Sequence, residues 1–80
     1  MPKKAFRLVF PQKLIQEPVM FAVARDCALL LNIRRAKITA EAGEATVELD
    51  GSLENIQKAE KMFRSKGVGV EPLLGDIVEG

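Results

Sequence analysis

The sequence contains few residues that could take part in chemistry, and the candidates are Cys27, Asn32 and the adjacent arginines Arg34 and Arg35. It has no histidine, which is the usual general base and a frequent ligand of zinc and copper. A lone cysteine provides neither an internal disulfide nor the set of thiolates that an iron–sulfur cluster needs. We therefore expect a protein that is not an enzyme, with no catalytic residues, no metal and no cofactor.

Each of these four residues also has a purely structural explanation. Cys27 is either a small core residue or a reactive thiol. Arg34 and Arg35 are either solvated or ion-paired residues, or part of an anion site. Asn32 either adopts turn geometry and bonds its own backbone, or contacts a ligand with an amide that both donates and accepts hydrogen bonds. The residue types alone leave these alternatives open.

Length and composition are typical of one small globular domain. Of the 80 residues, 48% are hydrophobic and 29% are charged, and the formal net charge is +1. This charge produces no broad field that attracts nucleic acid or anionic lipid. The longest nearly apolar run, residues 22–31, is interrupted by Arg25 and Asp26 and is too short for a membrane span. With a single cysteine, we expect a cytoplasmic protein that neither binds nucleic acid nor inserts into membranes.

Apolar and polar residues alternate in four segments, and this period of two predicts four strands. The predicted strands are residues 5–10, 31–40, 45–50 and 68–72. The inward-facing side chains of the first and third strands are Phe6, Leu8, Phe10, Ala45, Val47 and Leu49. The turn before the third strand contains Gly43, which we expect to have a positive φ. Pro72 cannot donate a ladder hydrogen bond, so the last strand should end at a sheet edge.

Between these strands, apolar residues recur at helical spacing and predict two helices. The first helix begins near Pro18, which suits the start of a helix. Its apolar stripe consists of Val19, Met20, Val23, Cys27 and Leu30. The second helix lies between an N-cap at Ser52 and a C-terminal cap at Gly67. Its apolar stripe consists of Leu53, Ile56, Ala59 and Phe63.

The order of these elements predicts an α+β fold of the ferredoxin-like βαββαβ kind. Right-handed crossovers then give a four-stranded antiparallel sheet, with the first and third strands central and both helices on one face. We expect one domain over residues 1–80, with a core from residue 5 to 73 and a tail at residues 74–80. In the tail, Ile77 and Val78 either add a short strand to a neighbouring sheet edge or fray.

Five segments between Arg7 and Leu73 give the sequence a resemblance to a known family. They are RLVFP from Arg7, QEPV from Gln16, ARD from Ala24, NIRRA from Asn32 together with Ile38, and GVGVE from Gly67. In these segments the sequence resembles the NIL domain, the small C-terminal module of methionine ABC importer ATPase subunits. The sequence has no Walker loop of the GxxxxGKS or GxxxxGKT type, so the resemblance implies an isolated module that does not power transport.

The resemblance implies a regulatory amino-acid sensor that pairs with its twin. It implies that methionine or a similar amino acid binds near Asn32, the first residue of the Asn-Ile-Leu triplet of the family, with Ile33 as a wall residue. Arg34 occupies the third position of the triplet in place of leucine. The ligand-binding residues expected from the resemblance are therefore Asn32, Ile33 and Arg34, at the boundary of a homodimer.

A wide apolar surface on the first helix and at the start of the second strand indicates a subunit interface. Its residues are Met20, Phe21, Leu30 and Leu31, which either contact another subunit or belong to a wide core stripe. A second function is an interaction module without a small ligand, which docks on a transporter or an enzyme of sulfur or amino-acid metabolism. Arg34 favours this alternative, because its charge either blocks an apolar ligand or selects an acidic one.

Overall fold

Strands and helices follow one another along the chain in the predicted order. The computed structural model describes residues 2–15 and 17–73. Its elements are β1 (Lys3–Pro11), a short 3₁₀ turn (Gln12–Leu14), α1 (Val19–Asp26), β2 (Leu30–Ile38), β3 (Ala42–Asp50), α2 (Leu53–Ser65) and β4 (Gly69–Pro72). In this part of the chain no helix is long and apolar enough to cross a membrane. The predictions for Ile77 and Val78 lie outside the described residues.

The four strands form an antiparallel sheet in the order β2-β3-β1-β4. β1 and β3 are central, as predicted, and they pair Phe6 with Val47 and Leu8 with Ala45. From Phe6 onward on β1, and along β3, buried residues alternate with more exposed ones, because the helices pack on one face of the sheet. Ala5, on the other face of β1, is buried as well. The predicted ferredoxin-like α+β fold is confirmed.

One apolar core lies between the sheet and the two helices. Its largest fully buried side chains are Phe6, Leu8, Val23, Val47, Leu49, Ile56 and Phe63. Cys27 belongs to the same cluster, which confirms it as a core residue. Leu53 departs from the predicted stripe of α2, since it occupies the first helical position and is 55% exposed. No polar or charged residue in the described part of the chain is buried, so apolar burial holds this core together.

Both ends of α2 are capped where the sequence predicts. At the start, the Asn55 N–H donates a hydrogen bond to Ser52 Oγ at 3.1 Å. At the end, Gly67 has a φ of 95°, and the next N–H, that of Val68, donates to the Phe63 carbonyl oxygen at 3.0 Å. This is the Schellman arrangement. Glycine suits it because the left-handed conformation costs glycine little.

α1 ends in the same arrangement, but with an alanine in the left-handed position. Ala28 has a φ of 56°, and its N–H donates to the Arg25 carbonyl oxygen at 3.2 Å. The Leu29 N–H donates to the Ala24 carbonyl oxygen at 2.9 Å. The predicted helical position of Leu30 is therefore wrong, because the chain has already left the helix and Leu30 begins β2.

The turn between β2 and β3 comes earlier than predicted. Thr39 Oγ1 accepts hydrogen bonds from the N–H groups of Glu41 and Ala42, at 3.2 and 3.1 Å. The predicted positive φ of Gly43 is wrong, since Gly43 is a buried β3 residue opposite Ile38. Its missing side chain matters for space instead, because a Cβ atom there would lie 3.1 Å from Ile38 Cδ1.

Candidate ligand site at the edge strand β2

An apolar cavity of about 310 Å³ opens between α1 and β2 on the helix side of the sheet. Its lining includes Leu14, Pro18, Met20, Phe21, Ala36 and Ile38. Phe21 and Ile38 lie at its rim and are 60% and 59% exposed. Small-molecule pockets begin at about 300 Å³, so this cavity has room for one small ligand.

The cavity exists because small residues lie next to a short helix. α1 has only eight residues, and the strands contribute Ala36, Gly43 and Ala45 to the cavity wall. Larger side chains at these three positions would occupy the same space. The cavity therefore depends on segments that are distant in sequence and that only the strand register brings together.

Glu17 is the charged residue in the cavity lining. It is exposed and lies two residues before the start of α1. Its carboxylate can accept hydrogen bonds from an ammonium group, while the rest of the lining contacts apolar atoms. The cavity thus suits an apolar molecule with one amino group. Among the described residues, no group of cysteine and acidic side chains could hold a metal ion.

The four predicted interface residues lie in α1 and at the start of β2. Met20 is half-buried, and Met20 and Phe21 both line the apolar cavity. Leu31 is half-buried and packs against the core, whereas Leu30 is 73% exposed. β2 is an edge strand, with β3 on one side and no further described strand on the other. The assignment of these residues to a subunit interface stays a prediction.

Two of the predicted ligand residues lie on opposite faces of β2. Ile33 pairs with the buried Val47, which puts it on the helix side, where it is 40% exposed. Asn32 pairs with Glu48 and is exposed on the other face, here called the open face. Asn32 does not line the apolar cavity. Its role as a ligand residue stays a prediction, with the amide accessible at the sheet edge.

The third predicted ligand residue, Arg34, lies in a β-bulge. The register of β2 shifts between Ile33 and Arg35, so Arg34 is the extra residue. Arg34 Nη1 lies 3.5 Å from Glu48 Oε2. A second cavity of about 350 Å³ on the open face is lined by Arg34, Arg35, Thr46 and Leu73. Arg34 therefore lies on the opposite side of the sheet from the apolar cavity.

Ion pairs elsewhere on the open face connect the strands. Arg7 of β1 pairs with Glu44 of β3 and, at 3.2 Å, with Glu71 of β4. Hydrogen bonding to Glu44 raises the pKa of Arg7 above its ordinary value, and Glu71 raises it further. Because Arg7 has two carboxylate partners, its role is to link three strands.

Cys27 faces α2 across the core. Its Sγ lies 3.4 Å from Sδ of Met62. Burial raises the pKa of the Cys27 thiol, and the nearby charge of Lys58 opposes this rise. A thiol whose ionised form is disfavoured is a poor nucleophile, so the structure favours the core interpretation over a reactive thiol.

Sequence reasoning missed the apolar cavity and two residues at its border, Glu17 and Ile38. The sequence feature that indicates the cavity is a set of three small residues in neighbouring strands, Ala36, Gly43 and Ala45. These residues indicate a cavity only when the pairing of Ala36 with Ala45 and of Ile38 with Gly43 is known.

Comparison with known proteins finds one matching family and a solved structure of similar fold. The sequence profile of the NIL domain family matches residues 4–72. A solved structure described as the C-terminal domain of an ABC transporter ATP-binding protein from Enterococcus faecalis is similar, with a TM-score of 0.79 and 22% sequence identity. The match covers 90% of this chain and 84% of that chain, and at this identity it supports the fold alone. No curated protein matches the sequence.

Proposed function

Since the chain belongs to the NIL domain family, we propose that it is a regulatory module that binds a small apolar amino acid, methionine or one like it, beside a second copy of itself. The observation that carries this proposal is the apolar cavity next to an edge strand. The proposed activity is binding without catalysis. The proposed location is the cytoplasm, where such a module responds to the internal amino-acid concentration.

The cavity suits a thioether side chain. Phe21 and Met20 line it, and sulfur atoms make favourable contacts with aromatic rings. The carboxylate of Glu17 can accept hydrogen bonds from the ammonium group of the ligand. Among the described residues, no cationic side chain lines the cavity to bind the ligand carboxylate. Backbone N–H groups along the outer edge of β2, or groups from a second copy, are therefore the proposed partners of that carboxylate.

A second copy would complete the site along β2. This strand has nine residues and one neighbour in the described sheet, and exposed strand edges of this kind pair with other strands. Ile33 and Ile38, on the helix side, are 40% and 59% exposed, and a neighbouring subunit would bury them. Asn32 reaches a ligand that lies between the two copies, whereas a ligand deep in the apolar cavity does not touch it.

Calorimetric titration with methionine tests the proposal. We expect saturable heat and a rise in melting temperature at millimolar ligand, because binding to the folded state stabilises it. Phe21→Ala should weaken both effects. Leu53→Ala is the matched control, since it removes another large exposed apolar side chain, one on α2 that does not line the cavity. Absence of heat and of a melting shift in the unmodified protein would contradict the proposal.

Asn32→Ala separates the two positions for the ligand. Loss of an amide hydrogen bond to a charged ligand group should lower affinity by roughly tenfold or more if the ligand lies between copies. Unchanged affinity in Asn32→Ala, together with weakened binding in Phe21→Ala, would assign the ligand to the apolar cavity. Sedimentation velocity of the same variants, with and without methionine, shows whether binding and pairing are coupled.

An interaction module without a small ligand is the second candidate, and the exposure of Leu30 favours it. Leu30 is 73% exposed at the start of β2, away from the apolar cavity, so the amino-acid site does not explain it. A transporter subunit or an enzyme of amino-acid metabolism is the proposed partner. This candidate predicts a stoichiometric complex with that partner in gel filtration that Leu30→Ser disrupts, and no heat with methionine.

A further inference from the structure

The bulge in β2 brings two guanidinium groups to the same face of the sheet. Successive side chains of a regular strand alternate between faces, which would separate Arg34 from Arg35. Because Arg34 is the extra residue, both arginines instead line the open-face cavity, together with Thr46. Bulges at sheet edges and beside binding sites serve to redirect side chains, and here the redirected side chain brings two like charges together.

The two arginines differ in the charges around them. Glu48 lies 3.5 Å from Arg34 and offsets part of one positive charge. Within the described part of the chain, no carboxylate forms an ion pair with Arg35. Arg7, on the same face, has two carboxylate partners. Among the described residues, the positive charge of Arg35 is therefore not offset by an ion pair.

We propose that Arg34, Arg35 and Thr46 form a binding site for a phosphate group, either free phosphate or the phosphate of a small monoester. Guanidinium groups match phosphate oxygens with paired hydrogen bonds, and the threonine hydroxyl supplies a further donor. A dianion suits the site better than a monoanion, because it approaches two guanidinium groups. The site lies on the opposite face from the apolar cavity, so it does not depend on the proposed amino-acid binding.

An NMR titration at constant ionic strength tests this site, using inorganic phosphate, glycerol phosphate and succinate as probes. We expect saturable shifts of the amide signals of Arg34, Arg35 and Thr46 with at least one phosphate probe, and weaker shifts with the dicarboxylate. Stronger binding of glycerol phosphate than of inorganic phosphate would identify a monoester site, and the reverse would identify a free-phosphate site. Stronger binding of succinate than of either phosphate probe would overturn the phosphate assignment.

Two substitutions should change affinity in opposite directions. Arg35→Gln removes a charged donor and should weaken phosphate binding by roughly tenfold or more. Glu48→Gln removes a carboxylate that competes with phosphate for Arg34, and should therefore strengthen phosphate binding. Lys37→Gln is the matched control, since Lys37 lies on the same face of β2, opposite Glu44 in the strand register, and does not line the open-face cavity. The proposal would be overturned if the amide shifts were spread evenly over all basic residues, or if Lys37→Gln weakened phosphate binding as much as Arg35→Gln. Thermal melting shows that each variant is folded.

Discussion

The two helices cover the sheet to different extents, and the phenylalanines that they carry show the difference. α2 has 13 residues and buries Phe63, which is 1% exposed, under its final turns. α1 has eight residues and leaves Phe21 60% exposed beside a cavity. The α2 half therefore contains the best-packed part of the core, and the α1 half, with β2, contains the incompletely covered surface where binding is proposed. The proposed binding surface is therefore distinct from the part of the core that α2 covers.

The largest expected effect follows from replacing each phenylalanine by alanine. Phe63→Ala should lower the free energy of unfolding by about 3–5 kcal/mol, because it leaves a cavity in a fully packed region. Phe21→Ala should change it by no more than about 0.5 kcal/mol, since most of its ring is already in water. Urea denaturation at low protein concentration, where pairing contributes little, measures both values. Similar losses for the two variants would contradict the division into two halves.

The central strands and α2 were predictable because their patterns are local and complete. Phe6, Leu8 and Phe10 are separated by half-buried residues, as are Ala45 and Val47 on β3. A strand between two neighbours has both its pairing and its buried face fixed, so sequence alternation and burial coincide. The caps of α2, a serine and a glycine, are also the residue types with the strongest positional preferences.

The α1 half was predicted less well, because its features arise from residues that are far apart or of an unexpected type. The sequence predicts Leu30 on the helix because an alanine at position 28, unlike a glycine, does not indicate the left-handed conformation that ends α1. Gly43 was placed in a turn because its true role, making room beside Ile38, depends on strand register. The bulge at Arg34 likewise has no local marker. The surface proposed for binding is therefore the part that sequence alone defined least.

The next largest effect tests the helix end on the better-packed side. Gly67→Ala should lower the free energy of unfolding by about 0.5–1 kcal/mol, because the left-handed strain on alanine exceeds its smaller entropy loss on folding. Steric contact adds nothing, since a Cβ atom at Gly67 would lie 3.9 Å from Leu14 Cδ1, which is an ordinary van der Waals distance. Thermal and urea unfolding measure the change. An unchanged stability would indicate that this residue does not hold its positive φ.

The opposite substitution tests the corresponding position of α1. Ala28→Gly should raise the free energy of unfolding by about 0.5 kcal/mol, since relief of left-handed strain outweighs the extra entropy of glycine in the unfolded chain. Ala28 is exposed, so the change removes little packing. The same unfolding measurements apply, and a double variant with Gly67→Ala should show nearly additive effects because the two sites are on different helices. A destabilised Ala28→Gly would mean that α1 ends differently in solution.

The smallest effect concerns Cys27, which lies where α1 meets α2 through Met62. Burial raises the pKa of its thiol above the ordinary value of 9.0, so the folded state binds the proton more tightly than the unfolded state. This contribution to stability is fully present below the unfolded pKa and is lost as pH rises through the folded pKa. Cys27→Ala removes this pH dependence. Urea denaturation from neutral to alkaline pH measures the stability of both proteins. The difference in stability between them should shrink as pH rises. A constant difference would mean that folding does not change the pKa of the thiol.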